Sequence, residues 1–392
     1  MAKTEKKKKA KNKQIFDYYD YNLLACIVLL ICFGLVMLYS TSSYSAQITF
    51  SDDMYYLKRQ AIISGACFIG MLYGSRIDYH FYAKFAGIFY LIANGLLIAT
   101  KFVGTEIYGA KRWIYIGPIS FQPAEMAKLA VILFLSVLIV KLGKNVKTWR
   151  AFFTILICGG ITSFFTLVFT DNLSTAIIIA GITVGILFIV FPKKLPFVLG
   201  TASVAVLVTA VIMYAQTLTG SENFRLRRVI VWLDPEAHES LGGYQILQGL
   251  YAIGSGGFFG KGLGNSLQKV NSVPEAQNDM ILAIICEELG VLGAIVLTLL
   301  FVFMLYRLLF IAQNAPDLLG SLIASGVFVH IALQVIFNIA VITNAIPTTG
   351  ITLPFISYGG TAVMFLMAEM TLALSVSRQI RFKDREGNGE ME

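Results

Sequence analysis

Three observations predict an all-α fold: a polytopic integral membrane protein with ten transmembrane helices and a large extracytoplasmic loop between the seventh and eighth. Of 392 residues, 57% are hydrophobic and only 14% charged, with a mean hydropathy of +0.73. Soluble globular chains run near half apolar and about a quarter charged. Ten apolar runs each approach the roughly 20 residues that carry a helix across a bilayer. Basic residues collect in alternate connections between those runs, as the positive-inside rule requires. Together these exclude a soluble enzyme and a disordered chain. They also exclude an outer-membrane barrel, whose alternating strands contain no long apolar runs.

Residues 1–21 read as a basic cytoplasmic tail, with seven Lys against one Glu in 1–13. Beside a membrane span such a tail is more commonly an anchor touching anionic lipid than a nucleic-acid arm, so no nucleic acid is expected as a partner. The run Leu23–Tyr39 exceeds a signal-peptide core and no small-x-small site follows, which makes it an uncleaved first span. One membrane domain, 22–378, then holds spans at about 22–40, 60–75, 84–100, 127–142, 151–169, 173–191, 196–215, 280–307, 318–343 and 360–377. With the tail inside, the inner connections hold Arg76 and Lys84, then Lys141, Lys144, Lys147 and Arg150, then Lys193 and Lys194, then Arg307. Arg378, Arg381, Lys383 and Arg385 follow the last span, leading into a cytoplasmic tail over 379–392. Both termini are therefore expected in the cytoplasm. No internal repeat stands out, against the plan of many transporters. The five Cys lie in apolar runs and the three His are scattered, which excludes a disulfide framework or a zinc site.

Three outer segments are too long or too rich in Pro and Gly to be simple turns: 101–127, the large loop 216–279, and 344–360. Within the large loop, Ile246, Leu247, Leu250, Tyr251 and Ile253 share one helical face, which suits either the membrane interface or the protein's own surface. Arg225, Arg227 and Arg228 precede Trp232. A guanidinium fork binds pyrophosphate oxygens bidentately, although a solvated or headgroup contact is the commoner use of such spacing. Residues 254–266 are Gly-rich but fail the Walker pattern, because Ser255 and Gly262 stand where Gly and Ser or Thr are needed, so no nucleotide is expected. Ser272 to Glu275 has capping-box spacing, and Glu275 and Asp279 would stand at i and i+4 on one helical face entering the eighth span. An acid at the edge of hydrocarbon is usually functional. The plainer alternative is that Glu275 caps the helix and Asp279 favours its dipole. Glu125 and Lys128 form an i,i+3 pair heading the fourth span, by default a structural salt bridge. Glu287, Glu288 and Glu369 lie deeper, where they could line a polar cavity or pair with other helices.

Several motifs resemble the SEDS family (shape, elongation, division and sporulation). They are Ala110-Lys-Arg-Trp-Ile114, Gln122-Pro-Ala-Glu-Met-Ala-Lys128, Gly260-Lys-Gly-Leu-Gly-Asn-Ser266 with Gln268-Lys269, and Val273-Pro-Glu-Ala-Gln-Asn-Asp279. Glu287-Glu-Leu-Gly290 and Ile346-Pro-Thr-Thr-Gly-Ile-Thr-Leu-Pro-Phe-Ile-Ser-Tyr-Gly-Gly360 complete the set, with Arg225 and Arg228 before Pro235. The resemblance spans residues 20–380, and the last motif reads more like FtsW or SpoVE than RodA. It implies a ten-span peptidoglycan glycosyltransferase in the cytoplasmic membrane of a bacterium, polymerising lipid II at the outer face for division or sporulation. Its implied partners are a class B penicillin-binding protein, other division proteins and membrane lipids. The family's essential acid falls on Asp279, its cavity salt bridge on Glu125 and Lys128, and further cavity positions on Arg112, Trp113, Gln122 and Lys269. One departure is Thr170-Asp-Asn-Leu-Ser-Thr175, where the family's usual acid position holds Asn172 and Asp171 stands one place earlier.

The expected chemistry makes Asp279 a general base on the acceptor sugar hydroxyl, which displaces undecaprenyl pyrophosphate from the lipid-linked glycan. Arg225, Arg228, Lys269 or a divalent cation, Mg²⁺ or Mn²⁺, would hold the leaving pyrophosphate, with Glu275 beside the base. The competing functions are a lipid II flippase and a non-catalytic scaffold of the division machinery.

Overall fold

The structure, a computed structural model, describes residues 16–107, 110–117, 119–218, 224–270, 273–274 and 276–382. The basic run 1–13, the Ser272 and Glu275 of the expected capping box, and Lys383 and Arg385 lie outside the described residues.

In chain order the elements are β1 (Phe16–Asp17), α1 (Tyr21–Phe50), α2 (Tyr55–Gly74), α3 (Tyr79–Lys84) and α4 (Ala86–Val103). Three strands follow, β2 (Thr105–Ile107), β3 (Ala110–Ile116) and β4 (Ile119–Phe121). Then come α5 (Pro123–Leu142), α6 (Trp149–Phe169), α7 (Leu173–Val190), α8 (Leu195–Gln216), α9 (Phe224–Leu233) and α10 (Gly243–Gly256). The chain closes with α11 (Ile281–Asn314), α12 (Leu318–Ile342), α13 (Gly360–Ser377) and β5 (Arg381–Phe382). Each predicted span falls on a helix, and among the described residues nine helices are long and apolar enough to cross a membrane. The exception is α2, whose first turns carry Lys58, Arg59 and Gln60, yet it packs between α1 and α13. The protein is a multi-pass membrane protein.

Local chemistry starts the helices where polar residues precede apolar runs. Asp20, Thr148, Asn172 and Asp317 accept backbone N–H bonds at the heads of α1, α6, α7 and α12, and Pro123 opens α5. Lipid supplies no hydrophobic drive between helices, so close packing has to come from small residues. A Cβ on Gly181 would meet Leu333 at 2.5 Å and one on Gly185 would meet Val329 at 2.8 Å, which is how α7 lies against α12. α5 is buried from Pro123 through Leu133 at the centre of the bundle, whereas α8 is exposed along almost its whole length.

Both ends of the described chain meet at one end of the bundle. β1 pairs antiparallel with β5, and buried Asp20 holds Arg307 of α11 at 2.8 Å. His80 also lies at this end, with Nδ1 2.7 Å from Asp78 and Nε2 2.7 Å from Asp317, the residues that cap α3 and α12. A neutral imidazole donates from one nitrogen only, so two carboxylates call for the imidazolium.

The long eighth span is broken. Gly290 leaves helical geometry at φ +67° and ψ −168°, inside what the sequence reads as one long helix. Residues 257–262 fill the gap: Lys261 and Gly262 N–H donate to the carbonyls of Glu287 and Glu288, and Val291 and Leu292 N–H donate to those of Gly257 and Phe258. The backbones approach so closely that a Cβ on Gly290 would lie 2.4 Å from the Gly260 nitrogen. The same loop delivers cations to two fully buried acids, Lys261 to Glu287 at 2.6 Å and Lys269 to Glu288 at 2.9 Å. Ser40 of α1 donates to Glu288 at 2.7 Å.

Two outcomes follow from these contacts. Removing one member of the buried Glu288–Lys269 pair costs about 3–5 kcal/mol, while replacing both by apolar residues is far milder. Thermal unfolding in detergent should therefore show Glu288→Leu strongly destabilised and Glu288→Leu with Lys269→Met largely restored. At the chain-terminal end, partial burial opposes the charged form of His80, but its bonds to Asp78 and Asp317 outweigh it and raise the pKa above 6.5. That contact contributes fully below the unfolded value and fades as pH rises through the folded one. The Tm difference between wild type and His80→Asn should accordingly shrink from pH 6 to pH 9.

Candidate active site

The site forms at the opposite end of the bundle, around the irregular segment between α12 and α13. Pro and Gly prevent 343–359 from continuing α12, and its carbonyls are claimed by side chains. Trp232 of α9 donates to Asn344 O at 2.9 Å and Arg228 to Thr348 O at 3.1 Å. Ser174 of α7 donates to Thr349 O at 2.6 Å. Two α12 amides one turn apart complete the set: Gln334 donates to Thr352 O at 2.9 Å and Asn338 to Ile351 O at 2.7 Å.

Asp279 sits against this loop. The expected helix from Ser272 through Asp279 does not form over its described part: residues 276–280 are turns and α11 begins at Ile281, with no side-chain cap. Asp279 is thus partly buried in a turn and not on a helix. Asn338 donates to its carbonyl at 3.0 Å, and Tyr358 N–H donates to Gln277 O at 2.9 Å. Gly350 holds φ +70°, and a Cβ there would lie 3.9 Å from Asp279 Oδ2.

Four arginines, Arg112, Arg225, Arg227 and Arg228, gather around Asp171 and Asp279. β3 pairs with β2 and β4 in a small antiparallel sheet absent from the all-α expectation, and it carries Arg112, which donates to Asp171 O at 3.1 Å. Arg225 meets Asp171 Oδ1 at 3.5 Å. Burial lowers the pKa of Arg228, and Arg112 and Arg227 push it the same way while Asp279 pulls it back, so Arg228 senses all three charges. Burial also lowers Arg112, against the pull of Asp171. Arg112 Nε is buried with no acceptor among the described residues.

The other sequence candidates divide. Glu125 and Lys128 form the expected buried pair at 2.9 Å, and Lys128 reaches Gln334 at 3.4 Å, which joins the pair to the loop at Thr352. Trp113 lies partly buried on β3 opposite Thr105, and Gln122 stands at the head of α5 without capping it. Lys269 belongs to another cluster. Its three N–H donors go to Ser40, Gly264 O and Glu288, beside a groove of about 480 Å³ between α1 and the 263–269 loop. Sequence reasoning missed Asn338, Gln334, Ser174 and Trp232 as site residues. The available signal was two amides at i and i+4 in the largely apolar run 318–342. Among the described residues no three His, Cys, Asp or Glu side chains converge to hold a metal.

A family model described as cell cycle protein, covering FtsW, RodA and SpoVE, matches residues 20–382. The chain belongs to this family. It is 36% identical to stage V sporulation protein E of Bacillus subtilis (strain 168), over 93% of this chain and 98% of that protein. It is 34% identical to a probable peptidoglycan glycosyltransferase FtsW of Geobacter sp. (strain M18), again over 93% and 98%. Among solved structures, a chain from one concerning structural coordination of polymerization and crosslinking by a peptidoglycan synthase complex superposes with a TM-score of 0.76. That match is at 25% identity, over 92% of this chain and 98% of that one. The rod shape determining protein RodA of Thermus thermophilus shares the fold, with a TM-score of 0.64 at 24% identity, over 92% and 97%.

The departure at 170–175 also finds its geometry. Asn172 accepts Thr175 N–H as the cap of α7, while Asp171, at φ +50°, turns its carboxylate to Arg225 and its carbonyl to Arg112. Asn tolerates that φ as Asp does, so Asp171→Asn should keep the fold and lose only the exposed ion pair. An exposed pair is worth about 0–1 kcal/mol, so initial polymerisation rates should fall by no more than about five-fold.

Proposed function

We propose that this family member is a peptidoglycan glycosyltransferase, polymerising lipid II into glycan strands at the outer face of a bacterial cytoplasmic membrane. The observation that carries this is the Asp279 carboxylate, held in a turn beside Gly350 and close enough to Arg228 to act on its charge, in a chain matched to the family from 20 to 382. The site lies at the bundle end opposite the described chain ends; with the short basic connections at 76–84, 141–150 and 193–194 inside, the positive-inside rule supports a site facing outward and both termini in the cytoplasm.

Asp279 accepts the proton of the acceptor GlcNAc 4-hydroxyl. The freed oxygen attacks the anomeric carbon of the lipid-linked strand, the bond to undecaprenyl pyrophosphate breaks, and the configuration inverts. General-base action supplies roughly 10²–10⁴-fold, and the remainder comes from positioning and from stabilising the departing charge. Arg228 feels the charge of the acid, Arg225 holds Asp171 at 3.5 Å, and Arg112 offers the pyrophosphate a buried N–H that no described protein acceptor takes. Lys269 is left out of this clamp because its donors are committed to Glu288, Ser40 and Gly264. Mg²⁺ or Mn²⁺ would add neutralising charge to the departing pyrophosphate; among the described residues no three His, Cys, Asp or Glu side chains converge to hold such an ion. The strand is then cross-linked by a class B penicillin-binding protein partner. The relatives named FtsW and stage V sporulation protein E support a role in division or sporulation.

The test is polymerisation of labelled lipid II by the protein purified with its transpeptidase partner. Wild type should give glycan ladders and Asp279→Asn at least about 100-fold less product. Ladders undiminished in folded Asp279→Asn would defeat the base assignment, and intact lipid II from wild type would favour a flippase.

A further inference from the structure

We propose that Asn338 is the positioning residue for Asp279; this rests on the reading of Asp279 as the base. Asn338 is 1% exposed in α12, and its Nδ2 lies 3.0 Å from Asp279 O and 2.7 Å from Ile351 O. Both neighbours are carbonyl oxygens, so the amide must present its NH₂ end, and both hydrogens are used. Asn338 Oδ1 is buried with no partner among the described residues, a cost accepted to keep that double donation.

The consequence is geometric. Residues 276–280 are turns, so no helical ladder sets where Asp279 stands. One short, rigid amide instead clips the Asp279 backbone to the loop that carries Gly350 and whose Thr348 carbonyl accepts Arg228. One turn back on α12, Gln334 ties Thr352 of the same loop to Lys128 and so to Glu125. The base and its cationic neighbours are thereby registered against one α12 face. A misplacement near 1 Å costs on the order of 100-fold in rate.

Asn338→Asp keeps the shape but turns a carboxylate toward two carbonyls, and Asn338→Leu removes both donors without adding charge. Each would be assayed with Asp279→Asn in the full chain with its partner, using labelled lipid II and hydrogen exchange over 276–283. The expected result for Asn338→Asp is a 10- to 100-fold fall in kcat, with KM within about two-fold because the arginines still bind substrate. Its activity relative to wild type should rise as pH falls, since a protonated acid donates to one carbonyl again, and exchange should speed up across the turn. Wild-type kcat in either Asn338 variant, or losses matched by loss of folded protein with exchange unchanged, would overturn the proposal while Asp279→Asn stayed inactive. Full activity in Asp279→Asn would instead remove the base assignment, and this proposal with it.

Discussion

Irregular backbone inside a membrane bundle has to find its hydrogen-bond partners within the protein, because hydrocarbon offers none. Two segments of this chain meet that demand in different ways. At Gly290 the eighth span breaks, and residues 257–262 supply backbone donors and acceptors to the exposed turn. Between α12 and α13 the partners are side chains drawn from α7, α9 and α12. The glycines at 260 and 290, the amides in α12 and the arginine in α9 all follow from this one requirement.

The two segments also divide the charges by purpose. Around the break each buried acid has its own lysine, so the cluster is neutral and its donors are spent. Such a knot fixes one arrangement of loop and helix, and leaves little for a ligand. Around Asp279 the balance among the described residues differs: Arg112, Arg225, Arg227 and Arg228 gather about Asp171 and Asp279. A cationic surplus beside one carboxylate suits a reaction that removes a proton from one substrate and expels an anion from another.

The glycosyltransferase reading therefore rests on how a loop is held as much as on which acid it holds. Asp279 gains its setting from residues far away in the chain, Asn338 and Thr348 to Ile351 among them. The displaced acid at 171 makes the same point. Its carboxylate reaches an arginine because a left-handed φ at Asp171 and the cap at Asn172 turn the chain.

By itself the sequence determined the membrane class, the positions of the spans, the Glu125–Lys128 pair and Asp279 as the acid of interest. Those features are local: apolar runs, an i,i+3 spacing and contiguous motifs survive being read in one dimension. Tertiary structure alone decided the break at Gly290, the sheet over 105–121, the assignment of Lys269 to Glu288 and the clip from Asn338 to Asp279. The break, the lysine pairing and the clip depend on which carbonyls and carboxylates end up buried beside which donors, across separations from 19 residues for Lys269 and Glu288 to 59 for Asp279 and Asn338. Hydropathy marks such residues as polar in an apolar setting, but only the packed helices decide which partner satisfies them.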